Sequence, residues 1–97
     1  MDDAGIPALQ DAIQHMYGLR SEWIESAPIR DVFKGELVWE GEIQVFAVEH
    51  PKATRAYAWS HLVNDSGRRK FFAVLGVPPI GSALDALRAS IASGQNR

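Results

Sequence analysis

The sequence predicts an α+β fold: a two-layer domain in which a four-stranded antiparallel meander carries an N-terminal and a C-terminal helix, in the order α-β-β-β-β-α. Three observations lead there. Residues 37–48 (LVWEGEIQVFAV) alternate with period two, with Leu37, Trp39, Ile43, Val45 and Ala47 on one parity and Glu40, Glu42 and Gln44 on the other, the pattern of a half-buried strand. Helical spacing of apolar residues occurs only near the two ends of the chain. Every connection between strand-like segments is short enough for a hairpin, which favours sequential antiparallel neighbours.

The first helix is expected over 7–17. Pro7 suits a first helical position, Gly18 suits the residue past the end, and Ile6, Leu9, Ile13 and Met16 form the apolar stripe. The first strand spans 22–33, and Pro28, which has no amide proton, makes it an edge strand or marks a bulge. Lys34-Gly35 turns into the second strand, where Gly41 signals a bulge, a bend or the close approach of another backbone. Glu49-His50-Pro51-Lys52 reads as a loop into the third strand, 53–63. Asn64-Asp65-Ser66-Gly67 turns into the fourth, 70–77, which Pro78-Pro79 ends. Ser82 caps the second helix with Asp85 three residues on, Leu84, Leu87 and Ile91 form its stripe, and Gly94 stops it. One domain fills residues 1–97, with an ordered core over about 6–94 and a disordered C-terminus.

A register follows if residues 49–52 form a four-residue loop. Val48 then pairs with Ala53, Gln44 with Tyr57, Glu42 with Trp59 and Glu40 with His61. One face would gather Trp39, Ile43 and Val45 with Ala56, Ala58, Ser60, Phe71, Ala73 and Leu75, and both helices would cover it. The opposite face would show Phe46, Tyr57, Trp59, His61 and Phe72 among Glu40, Glu42, Arg55 and Lys70. An aromatic face of this kind marks an interface, a ligand site or a second small core. A slip of one residue would exchange the faces.

The 46% hydrophobic and 23% charged content belongs to an ordinary soluble globular domain. No apolar run approaches the ~20 residues that span a bilayer, and the acidic start MDDAGIPALQ does not read as a secretory signal. With no cysteine there is no disulfide, thiol nucleophile or thiolate metal site, and a cytoplasmic setting is expected. Residues 1–49 hold ten acids and three bases, and residues 50–97 seven bases and two acids. That asymmetry marks cross-strand charge pairing between halves that lie side by side, the favoured reading, or an electrostatic interaction surface.

Chemistry-bearing sets are sparse. His15, His50 and His61 lack metal-ligand spacing, so neither metal nor cofactor is expected. His61 beside Glu40 would be an imidazole–carboxylate pair, and Glu40 with Glu42 would lie roughly 7 Å apart along a strand. No GxSxG occurs, and prolines interrupt Gly76–Gly81 where a phosphate loop would need amides. Arg68-Arg69-Lys70 is the one basic run and the only nucleic-acid candidate, set against a net charge of −2.

The segments VWEGEIQVFAV, HPKATRAYAWS and GRRKFFAVLGVPP resemble those of short bacterial proteins of uncharacterised function, over roughly residues 12–92. The resemblance implies a free-standing bacterial cytoplasmic protein and carries no activity. The leading expectation is therefore a non-enzymatic interaction module. It would form a homodimer, or bind another protein, through Phe46, Tyr57, Trp59 and Phe72. A small-molecule or enzymatic pocket lined by Glu40, Tyr57, Trp59 and His61 is the alternative. Nucleic-acid binding through the basic hairpin is third.

Overall fold

The computed structural model describes residues 5–62 and 69–92. Helix α1 (Gly5–Tyr17) precedes strands β1 (Ser21–Phe33), β2 (Glu36–His50), β3 (Ala53–Leu62) and β4 (Arg69–Leu75), and helix α2 (Ala83–Ala92) follows. The strands form one antiparallel sheet in the order β1-β2-β3-β4, the meander that the sequence predicts. The expected 64–67 turn and the Gly94 stop lie outside the described residues.

Local chemistry explains the boundaries. Gly18 ends α1 with φ 69°, and its N–H donates to the Gln14 carbonyl at 2.8 Å. Lys34 and Gly35 both take positive φ, 54° and 79°, the conformation of a tight hairpin turn whose twist matches its strands. At the start of α2 the Asp85 N–H donates to Ser82 Oγ, and the Gly81 N–H donates to Asp85 Oδ2, both at 3.1 Å. That reciprocal cap satisfies two amides that helical geometry leaves without partners.

The helices lie on opposite faces of the sheet, not on one as the sequence reading expects. Leu9 and Ile13 of α1 pack on Phe46, Val48, Ala56, Ala58 and Ala73. Ala83, Ala86 and Leu87 of α2 pack on Ile43, Val45, Tyr57, Trp59 and Phe72. The two contacts are complementary in size. Where the sheet is lined by alanines the helix brings long side chains, and where the sheet is aromatic the helix brings alanines. Met16, expected in the buried stripe, is exposed.

The cause of the difference is a one-residue slip between β2 and β3. His50 pairs with Ala53, so the turn is only Pro51-Lys52, and the register shifts once more between Ala47 and His50. Gln44 therefore faces Ala58 and Val45 faces Tyr57, not Gln44 with Tyr57. Because side chains alternate, that slip moves the odd-numbered residues of β2 to the aromatic side. The β3–β4 register, with Trp59 opposite Phe72, is the expected one.

The β2–β3 ladder ends at Gln44↔Ala58. Beyond it β2 pairs only with β1, to Glu36↔Phe33, and β3 pairs only with β4, to Leu62↔Arg69. On the α2 side two indoles span this parting. The Trp39 and Trp59 ring centroids lie 6.5 Å apart, edge to face, and Trp59 stacks on Phe72 at 5.4 Å. Trp39 lies back over Gly41, where a Cβ would meet the indole at 2.9 Å. What closes on Gly41 is a side chain, the Trp39 indole, and not the second backbone that the sequence reading offers.

On the other face Tyr17 reaches the open edge of β4 and donates its hydroxyl proton to the Ala73 carbonyl at 2.9 Å. Burial pushes the Tyr17 phenol above its ordinary value of 10.0, opposed in part by the Leu75 backbone amide.

Two outcomes follow. Gly41→Ala forces the Trp39 indole off Trp59 and should lower stability by about 1–3 kcal/mol in denaturant titrations. Raising a phenol's pKa on folding stabilises the protein below the unfolded value, and that contribution is lost as pH rises through the folded one. The denaturation midpoint should therefore fall more steeply above pH ~10 in the parent chain than in Tyr17→Phe.

Candidate functional site

The slipped register decides where each expected site residue lies. Tyr57, Trp59 and Phe72 are buried under α2, and Phe46 is buried on the opposite face under α1. No open aromatic sheet face results, because the same one-residue shift gives those rings a helix to pack against. Tyr57, Trp59 and Phe72 form a core under α2, a helix the sequence reading places on the other face. Trp39 and Trp59, expected on opposite faces, are in contact.

The polar candidates are dispersed. Glu40, Glu42 and Arg55 are exposed. Glu40 meets Arg30 at 3.6 Å across the β1–β2 hairpin, not His61. His61 lies against Phe72, 5.0 Å between ring centroids, and His50 Nδ1 accepts the Lys52 backbone N–H at 3.0 Å within its turn. Arg68 lies outside the described residues. Arg69 Nε donates to Ser60 Oγ at 3.0 Å, and Lys70 Nζ sits 5.4 Å from the Phe72 ring centroid. Among the described residues no group of three or more His, Asp or Glu is placed to hold a metal ion, and no helix is long and apolar enough to cross a membrane. The pocket expected from Glu40, Tyr57, Trp59 and His61 does not form, since the indole and phenol point into the α2 core.

Among the described residues, four exposed large apolar side chains gather at the far end of the β1–β2 hairpin. Past the end of the β2–β3 ladder this hairpin runs on as a two-stranded arm. At its tip Val32, Phe33, Leu37 and Val38 are 43%, 64%, 51% and 47% exposed. A register shift between Asp31 and Val32 sets Val32 opposite Leu37 and re-aims the end of the arm. Lys34 Nζ sits 5.4 Å from the Phe33 ring centroid. The sequence carries a signal for this patch in the adjacent apolar pairs Val32-Phe33 and Leu37-Val38, which break the period-two alternation on either side of Lys34-Gly35.

Below the tip the arm is tied to α2. Arg88 Nη2 donates to Asp31 Oδ1 at 3.1 Å, and the Asp31 side chain is only 8% exposed while that of Arg88 is 59% exposed. This is a pair between the acidic and basic halves of the chain, whereas Arg30–Glu40 lies within the acidic half. A carboxylate held in a buried position depends on its partner more than a surface pair does. Arg88→Met should cost about 1–2 kcal/mol of stability, and Arg30→Met no more than ~0.5 kcal/mol, measured by thermal or denaturant unfolding.

In comparisons with protein-family models, curated proteins and solved structures, none matches the chain.

Proposed function

We propose that the chain is a non-enzymatic interaction module that pairs with a second copy of itself through the distal part of the β1–β2 arm. The observation that carries this reading is the group of four large apolar side chains exposed on a hairpin that runs on past the end of the β2–β3 ladder. Apolar side chains gathered in this way on a surface mark an association site more often than a solvated end.

The arm's charges favour a like partner. Arg30 and Lys34 stand against Glu36 and Glu40, two of each sign, and Asp31 is already engaged by Arg88. Such a set is self-complementary under a two-fold axis, where the same patch serves both partners. A stable interface of standard size buries about 800 Å² per partner, more than a hairpin tip offers. The arms would therefore lie side by side rather than touch end to end, with Phe33 and Leu37 as anchors. The resemblance to short bacterial proteins extends the reading to a bacterial cytoplasmic setting.

Sedimentation velocity over a concentration series tests it. The parent chain should shift from one copy to two, and Phe33→Glu or Leu37→Glu should hold it at one with the fold intact, since both side chains are exposed. A parent chain that stays single at every concentration, or a dimer indifferent to both substitutions, rules the reading out.

A further inference from the structure

The parting of β2 from β3 also leaves an opening on the α1 side of the sheet. It is a cleft of about 300 Å³, lined by Ile6, Leu9, Glu42, Gln44, Ser60 and Arg69. That volume is at the lower end for small-molecule sites.

Gln44 is the informative residue. It is 8% exposed, and its Oε1 accepts from Trp23 Nε1 at 2.8 Å and from Ser26 Oγ at 2.6 Å. An indole N–H can only donate, so the atom facing it is the amide oxygen and the orientation of the amide is fixed. Both N–H donors of Gln44 Nε2 are then left without a protein acceptor among the described residues, on a side chain that lines the cleft. Their surroundings supply more donors. Arg69 uses Nε on Ser60, which leaves its terminal nitrogens and the Ser60 hydroxyl proton available. The first-turn amides of Gly5 and Ile6 have no intrahelical acceptor, and no acidic residue occupies that turn. Opposite in sign stands Glu42. Among the described residues neither Glu42 nor Arg69 is in an ion pair, although both line the same small cleft.

A cleft with converging donors, one separate carboxylate and an apolar wall is suited to a ligand carrying both charges. We propose that it binds a small zwitterion of the α-amino-acid class with an apolar side chain. The ligand carboxylate takes the Arg69, Ser60 and Gln44 donors, its ammonium takes Glu42, and its side chain rests on Ile6 and Leu9. This site is independent of the arm tip.

The test is a titration of the ¹⁵N-labelled full chain, followed by NMR, with L-leucine, butyrate and butylamine as separate probes. Leucine should move the Gln44 side-chain N–H₂ and Arg69 Nε–H signals saturably at millimolar concentration. Butyrate and butylamine should bind about tenfold more weakly or less, since each forgoes one charge-assisted contact. Glu42→Gln should weaken leucine about tenfold and leave butyrate unchanged, and Arg69→Met should weaken both acids. Phe33→Glu should leave leucine binding as it is. Gln44 signals that stay still under leucine, or butyrate binding as tightly as leucine, overturn the proposal. Glu42→Gln changes an exposed side chain, so it reads out even where Arg69→Met disturbs the β3–β4 hairpin.

Discussion

The contact on which the rest of the structure depends is the one between Trp39 and Trp59. The sheet is in effect two hairpins, β1–β2 and β3–β4, which share backbone pairing only between β2 and β3 up to Gln44↔Ala58. Past that point no ladder joins them, and side chains must. The indoles meet edge to face, and Phe72 continues the stack onto β4. Pairs of this kind contribute about 0.5–1.5 kcal/mol beyond the area they bury. The cost is visible in the Trp59 indole N–H, which is buried without a hydrogen-bond partner among the described residues. A donor in that state forfeits about 1–3 kcal/mol, which the packing of the ring against α2 must offset. Gly41 is part of the same arrangement, because only a residue without a Cβ lets the Trp39 indole lie along its own strand.

Much of the fold was legible in the sequence, and the reasons differ by element. Element order, the Gly18 stop, the Ser82–Asp85 cap and the β3–β4 register each rest on local chemistry that a few residues encode. The faces were not legible, because they depend on one loop. Glu49-His50-Pro51-Lys52 is compatible with a four-residue loop or with a two-residue turn and a bulge, and the two differ by one residue in register. Everything downstream of that choice changes sides: the partner of Gln44, the exposure of Tyr57 and Trp59, and the number of layers. Period-two patterning in β2 could not arbitrate, since both of its faces are apolar where a helix covers them, Ile43 and Val45 on one and Phe46 and Val48 on the other.

The candidate sites were less legible for a related reason. In the sequence the functional signal is the coincidence of aromatic and charged residues on one strand face, and burial under α2 absorbs it. The arm tip and the Gln44 cleft both arise from the parting of β2 and β3, a relation between hairpins; the tip is marked in the sequence only by the apolar pairs Val32-Phe33 and Leu37-Val38, and the cleft by nothing in any single segment. Gln44 looks in the sequence like one more polar residue of an alternating strand. Only Ser26, directly opposite on β1, and Trp23, which pairs with Phe46 beyond the bulge between Trp23 and Glu25, make its amide a fixed donor.

Pro28 has a consequence of a different kind. It sits midway along β1, the outer strand on one side, paired with Glu42 and without an amide proton to offer a newcomer. On the far side Tyr17 already occupies the Ala73 carbonyl of β4. Each margin of the sheet thus offers a newcomer an interrupted ladder, a feature that disfavours strand-by-strand growth in a chain with exposed apolar residues.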